Sequence, residues 1–149
     1  MTDTTTSSIH IEVPRADILA VIADFATYPD WADGIKSADV LTRHDDGSPA
    51  TVRFTVANGP YSDTYVLRYE WDSDELVRWE MAEAGSMINE LRGSYKLAES
   101  DGSTEVTYDL TFGIKIPMPG IIRRKAEKAI SDAALDGLKT RAETIRGGT

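Results

Sequence analysis

The chain contains no cysteine. That excludes a disulfide framework, thiolate metal sites and a cysteine nucleophile. Histidine is nearly absent too: His10 falls on the polar side of its strand and His44 in a turn. Neither has a partner at metal-ligand spacing, so no metal site is expected, and a histidine general base is disfavoured on the same ground. There is no Gly-x-Ser-x-Gly elbow and no phosphate-binding P-loop. No apolar run approaches the roughly 20 residues of a membrane span. Residues 1–8 form a Thr/Ser-rich tract without the basic and apolar regions of a signal peptide, so the expected location is cytoplasmic. Positive charge is scarce: 16 Lys and Arg stand against 25 Asp and Glu, a net −9. This argues against a nucleic-acid partner, whose phosphates need cations. The one basic cluster, Arg123-Arg124-Lys125, opens a helix; it could touch a phosphate or an anionic lipid, and its plainer reading is a solvated helix face.

What is present describes one domain. A chain of 149 residues favours a single core, one that buries roughly 70% of the unfolded surface without a staple. The expected organisation is a disordered tail over 1–7 and one domain over 8–149. Ile9, Ile11 and Val13 alternate with His10 and Glu12, which predicts a half-buried strand. Pro14 suits a first helical turn, and Ile18, Leu19, Val21, Ile22 and Phe25 follow at helical spacing. Tyr28-Pro29 is expected to interrupt that helix, because a residue before proline avoids helical geometry. A further turn over 30–35 is anchored by Trp31.

From Ala38 the period becomes two. Val52, Phe54 and Val56 share a face, as do Tyr65, Leu67, Tyr69 and Trp71, then Val77, Trp79 and Met81. Two longer strands follow, with Leu91, Gly93, Tyr95 and Leu97 on one face of the first and Val106, Tyr108, Leu110 and Phe112 on one face of the second. Short turns rich in Asp, Asn, Gly, Ser and Pro separate these runs, which predicts an antiparallel meander, with Gly85 and Gly93 permitting bends. Beyond Pro117-Met118-Pro119-Gly120, residues 121–146 carry a stripe at helical spacing through Ile122, Ala126, Ala129, Ile130, Ala133, Gly137, Leu138, Arg141 and Ile145. Such a helix would be roughly 39 Å long, and it is the only element able to cover the sheet's apolar face. Its small residues fill little volume, so a cavity can remain between helix and sheet.

Three groups of residues carry a resemblance. They are Ala23-Asp24-Phe25-Ala26-Thr27-Tyr28-Pro29-Asp30-Trp31 with the strand after it, the pair Gly93-Ser94-Tyr95-Lys96-Leu97 and Gly102-Ser103-Thr104-Glu105-Val106-Thr107-Tyr108, and the Pro117–Gly120 lead into the last helix. Over about residues 8–146 the chain resembles the START-like, polyketide cyclase/dehydrase superfamily, most of all its small single-domain actinobacterial members. The resemblance implies an α+β helix-grip fold: a curved antiparallel sheet of about seven strands around a long C-terminal helix, with two short helices after strand 1. It also implies a cavity for a hydrophobic ligand. That superfamily includes carriers, hormone-binding proteins, aromatase/cyclases and co-chaperones, so the resemblance carries no particular chemistry.

Acidic turns such as Asp45-Asp46 and Asp72/Asp74/Glu75 are read as solvated turns, since paired-carboxylate catalysis needs groups converging in a cleft. The inward faces nominate Trp31, Phe54, Tyr65, Leu67, Trp79, Met81, Asn89, Leu91, Tyr95, Tyr108, Leu110, Phe112, Met118, Ile122, Ala126 and Ile130 as the ligand-binding set. Buried Tyr and Trp need partners for their O–H and N–H groups, which a ligand's oxygens can supply. Asn89 is in phase with Leu91 and is expected to point inward, whereas Asp63, near a strand start, is expected in solvent. Met81, Met87 and Met118 with neighbouring Ile and Pro form an adaptable apolar rim. No catalytic residue and no cofactor is identified.

Three functions remain open. The first is binding of a hydrophobic small molecule such as a lipid, isoprenoid or polyketide-like compound. The second is a polyketide aromatase/cyclase or dehydratase using the same cavity, which leaves enzymatic activity undecided. The third is a protein-interaction module with a solid core. The partner expected is a small molecule rather than nucleic acid, with no stable membrane insertion and a monomeric or weakly dimeric state.

Overall fold

Period-two patterning carries into the structure strand for strand. In the computed structural model, which describes residues 2–32, 34–58, 61–115 and 119–147, seven strands form one antiparallel sheet ordered β1-β7-β6-β5-β4-β3-β2. The strands are β1 (Thr2–Ile11), β2 (Ile35–Arg43), β3 (Pro49–Asn58), β4 (Tyr61–Ser73), β5 (Leu76–Glu83), β6 (Ile88–Ser100) and β7 (Ser103–Ile114). Between β1 and β2 lie α1 (Arg15–Ala23), a single 3-10 turn (Phe25–Thr27) and α2 (Tyr28–Trp31). The chain ends in a helix that runs unbroken through α3 (Gly120–Asp132), a wider π turn (Ala133–Gly137) and α4 (Leu138–Gly147). This is the helix-grip arrangement: a curved sheet with a long C-terminal helix across it.

The Thr/Ser tract, expected as a disordered tail, instead extends β1 back to Thr2. It pairs with β7 from Thr2↔Gly113 to Ile11↔Thr104. Thr is a good strand former, and here each residue gains a ladder partner. Thr6 Oγ1 also donates to Asp109 Oδ1 at 2.7 Å. A tract that lacks apolar periodicity is thus ordered by its neighbour.

The helical stretch after β1 also differs from its expected form. Pro14 stands just before α1 in an extended conformation rather than inside it. The orphan N–H of Arg15 is taken by Glu99 Oε1 from β6 at 2.6 Å, a carboxylate at the positive end of a helix. Tyr28, despite preceding Pro29, is helical at φ −53° and ψ −40°. Pro29 lies in the first turn of α2, where its missing N–H costs nothing. The Tyr28 hydroxyl donates to the Ile22 carbonyl and folds the segment onto α1.

The core lies between the sheet's concave face and these helices. Ile11, Val13, Ile18, Ile22, Phe25, Val52, Val77, Val106 and Leu138 are all at most 1% exposed, each worth roughly 1.5–3 kcal/mol of burial. Thr104 Oγ1, fully buried, donates to the Val13 carbonyl at 2.8 Å and fixes the link between β1 and α1. Close approach explains two glycines. A Cβ on Gly93 would lie 2.0 Å from the Asp109 carbonyl oxygen, and one on Gly137 would lie 2.3 Å from the Trp31 carbonyl oxygen. Gly137 therefore lets the π turn sit directly on α2, and π turns inside helices often mark functional positions.

Candidate functional site

Ten aromatic rings form one connected array on the concave side. Phe25 meets Tyr28 (4.8 Å between centroids) and Tyr69 (4.9 Å), and Tyr28 meets Trp31 (4.7 Å). Phe54 stacks on Tyr65 at 5.8 Å, and Tyr69 lies 5.8 Å from Trp71 and 5.9 Å from Trp79. Trp79, Tyr95 and Tyr108 close a triangle of 5.4, 5.5 and 5.0 Å. Sheet register builds that triangle: Trp79 faces Gly93, and Tyr95 pairs with Tyr108 across β6 and β7. With no side chain on Gly93, the Trp79 ring spreads over its backbone.

The tyrosine hydroxyls divide into two groups. Tyr28 donates to Ile22, and Tyr95 donates to the Ala134 carbonyl in the π turn at 3.3 Å. The hydroxyls of Tyr65, Tyr69 and Tyr108 have no hydrogen-bond partner among the described residues, yet none is among the atoms sealed off without one. Each therefore borders space that a water-sized molecule can enter, although the three residues are only 5–7% exposed. Burial raises the pKa of the five tyrosines of this array, and near Tyr28, Tyr69 and Tyr108 the other tyrosines add to it. They remain neutral phenols at physiological pH, able to donate a hydrogen bond and unsuited to abstracting a proton.

Most of the nominated residues are brought together. Phe54, Tyr65, Leu67, Trp79, Leu91, Tyr95, Tyr108, Leu110 and Phe112 belong to the buried cluster, with Trp31, Met81, Ala126 and Ile130 partly buried against it. The Trp31 indole N–H is sealed without a partner among the described residues. Met118 lies outside the described residues. Asn89 is exposed, because the register slips between Ile88 and Glu90 and the strand bulges there. Ile122 is 50% exposed: the inward face keeps the expected Leu138, with Ala126 and Ile130 at its edge, and is rotated to take in Glu127, Ser131, Leu135 and Ala142.

That face includes two residues the pattern missed. Glu127 is 4% exposed and Ser131 6%, so the helix presents polar groups toward the sheet where alanines were expected. The signal was the i, i+4 spacing of 127, 131 and 135, masked by the polarity of its first two members. Asp63 was also misplaced, being buried rather than in solvent. Its Oδ1 accepts from the N–H of Thr64 (3.0 Å) and Ser86 (2.7 Å), and its Oδ2 from Met87 (3.0 Å) and Ile88 (2.8 Å). Burial alone would raise the Asp63 pKa; the N–H groups of Ile88, Met87, Ser86 and Thr64 outweigh it and hold the carboxyl below its ordinary value. A Cβ on Gly85 would sit 2.3 Å from Oδ2, so glycine is needed there. Asp63 thereby fastens the β5–β6 turn, and the Lys115 N–H donates to the Met87 carbonyl at 2.7 Å to join that turn to the end of β7.

Elsewhere, an open polar cleft of about 400 Å³ lies at the β2–β3 turn, lined by His44, Asp45, Asp46, Ser48, Glu70 and Trp71. Among the described residues no group of three His, Cys, Asp or Glu is placed to hold a metal ion. No described helix is long and apolar enough to cross a membrane.

Comparison with known proteins agrees with this geometry. A family model described as polyketide cyclase / dehydrase and lipid transport matches residues 2–143. A search of curated proteins returns no match. Among solved structures, a START superfamily protein from Mycobacterium smegmatis superposes with a TM-score of 0.86 at 20% identity, covering 95% of this chain and 98% of that one. The Zhui aromatase/cyclase from a Streptomyces strain gives 0.81 at 16% identity, covering 97% and 95%. A protein from Thermus thermophilus gives 0.80 at 19% identity, covering 96% and 99%. At such identities these structures establish the shared fold alone.

Proposed function

Since the chain belongs to the polyketide cyclase / dehydrase and lipid transport family, we propose that it binds a hydrophobic small molecule between the concave sheet and the C-terminal helix. The ligand class is a lipid, isoprenoid or polyketide-like compound bearing oxygen acceptors. One observation carries this reading: Tyr65, Tyr69 and Tyr108 are buried residues whose neutral hydroxyls have no acceptor among the described residues and are not sealed off from a ligand. A neutral phenol of this kind can donate to a ligand carbonyl or hydroxyl, a hydrogen bond that contributes about 0.5–1.5 kcal/mol. Apolar walls from Phe54, Leu67, Leu91, Leu110 and Phe112 supply the remaining contact area.

The test is native mass spectrometry of the purified chain, followed by extraction and identification of any bound compound, with Trp fluorescence titration of that compound. A defined oxygenated hydrophobic adduct whose affinity falls in Tyr108→Phe supports the reading. Failure of every lipid and aromatic probe to alter Trp fluorescence or mass refutes it.

The likeness to an aromatase/cyclase favours one second reading. A cavity that holds a reactive chain in a folded conformer accelerates ring closure without a strong nucleophile, and neutral tyrosines can stabilise a developing enolate by donating to it. Saturable turnover of a poly-ketone substrate, lost in Tyr95→Phe and Tyr108→Phe, would move the assignment from carrier to catalyst.

A further inference from the structure

The start of α3 combines two features found together nowhere else on the described surface. Ile121 and Ile122 are 64% and 50% exposed, and Leu41, the other exposed large aliphatic residue, lies on β2. The same stretch is basic. From Lys115 to Lys128 the sequence carries Lys115, Arg123, Arg124, Lys125 and Lys128 against Glu127 alone, a net +4 in a chain of −9. The rest of the molecule therefore carries a net −13.

Geometry puts Ile121 and the cations on one outward arc, with Ile122 beside it on the Lys125 side. At 3.6 residues per turn, Ile121, Arg124, Lys125 and Lys128 fall within about 100° of one another, and all four are exposed. Lys128 is engaged with Asp132 at 2.6 Å, which leaves Arg124, Lys125 and Lys115 as the cations facing solvent. The buried face of α3, which takes in Glu127 and Ser131, borders this arc on the Arg124 side and leaves Ile121, Lys125 and Lys128 outward. The two isoleucines therefore cap the helix tip, with the cations one turn behind or beside them.

We propose that this tip docks on an anionic lipid bilayer, with Ile121 and Ile122 entering the headgroup boundary and Lys115, Arg124 and Lys125 meeting lipid phosphates. Apolar residues beside Lys and Arg are the combination that holds a protein at a membrane surface without spanning it. The net charge of the remainder favours this orientation: an anionic membrane repels an acidic remainder of −13 and attracts this basic stretch. An acidic protein would satisfy the cations but leave two bare isoleucines without a matching apolar layer, so the bilayer fits both features. α3 also packs against β7, whose far end Lys115 ties to the Asp63-held turn. The inference stands on surface groups and does not depend on which ligand the interior takes.

The experiment is co-sedimentation of the full chain with vesicles of phosphatidylcholine alone and of phosphatidylcholine with phosphatidylglycerol. Binding is expected only to the anionic vesicles, and it should be lost at high salt. Arg124→Glu with Lys125→Glu should lower partitioning by at least about tenfold. Ile121→Ser with Ile122→Ser should lower it comparably without altering the circular dichroism spectrum, since half or more of each side chain is already exposed. Absence of wild-type binding to anionic vesicles overturns the proposal, and binding of a polyglutamate peptide in its place would reassign the patch to an acidic protein. Wild-type binding that neither double variant weakens overturns it as well.

Discussion

Replacing Asp63 should cost stability in a way that depends on pH, and the size follows from four hydrogen bonds. The carboxylate accepts N–H groups at 2.7–3.0 Å, three of them from the β5–β6 turn. Hydrogen bonds to a charged acceptor contribute about 1.5–3 kcal/mol each. The bond from Thr64 is local, and water can reach part of the turn, so Asp63→Ala should lose about 3–5 kcal/mol rather than the full sum. For a domain of this size that is roughly a 10 °C fall in midpoint. Asp63→Asn keeps one acceptor oxygen but aims an NH2 group at the N–H donors of Met87 and Ile88, so it should lose about half as much. The native carboxyl titrates below its ordinary value, so its stabilisation is fully present above the unfolded pKa of about 3.9 and is lost as pH falls through the lower folded value. The gap between wild type and Asp63→Asn should therefore be widest at neutral pH and narrow on acidification. Urea unfolding of the three proteins at steps from neutral pH downward measures it. A loss below about 0.5 kcal/mol for Asp63→Ala, or a gap to Asp63→Asn that does not change with pH, would refute the reasoning.

Three further outcomes are expected. Because burial raises the pKa of Tyr28, Tyr65, Tyr69, Tyr95 and Tyr108, their stabilising preference for the neutral form persists below the unfolded value near 10 and is lost as pH rises through the folded values; ultraviolet titration should show five phenolates appearing together with alkaline unfolding. Tyr108→Phe should change unfolding free energy by no more than about 0.5 kcal/mol, since no protein acceptor is lost, whereas Tyr95→Phe, which frees the Ala134 carbonyl, should cost about 1 kcal/mol, both by urea unfolding. Gly137→Ala forces a Cβ to within 2.3 Å of the Trp31 carbonyl oxygen and should cost about 1–3 kcal/mol, accompanied by a shift in Trp fluorescence as α2 moves.

How far the sequence could be read depended on how local each feature is. Alternation along β3, β4 and β7 correctly placed Phe54, Tyr65, Leu67, Tyr108, Leu110 and Phe112 inside, because the pleat alone sets which face a strand residue takes. Asn89 failed the same rule at a bulge, where one extra residue reverses the phase, and nothing in the residues around it announces that. The Thr/Ser tract failed in the opposite sense: without apolar alternation it gave no strand signal, yet β7 offered it a full ladder.

The helix shows the same division. Its existence, length and position after the Pro-rich break were legible from periodicity and from the absence of proline. Which stripe turns inward was not, since the Ala126–Ile130 and Glu127–Ser131 rows are adjacent, and only docking against Trp31 through Gly137 chooses between them. By itself, then, the sequence determined the element types, the meander, the aromatic inventory and the acidic surface, all of which follow from covalent geometry and near-neighbour preference. Only the tertiary structure decided that Asp63 becomes a buried latch, that three tyrosine hydroxyls lack an acceptor among the described residues, and that Ile121 and Ile122 stand exposed beside cations. Each of those depends on groups distant in the chain meeting, or failing to meet, across the packed interior.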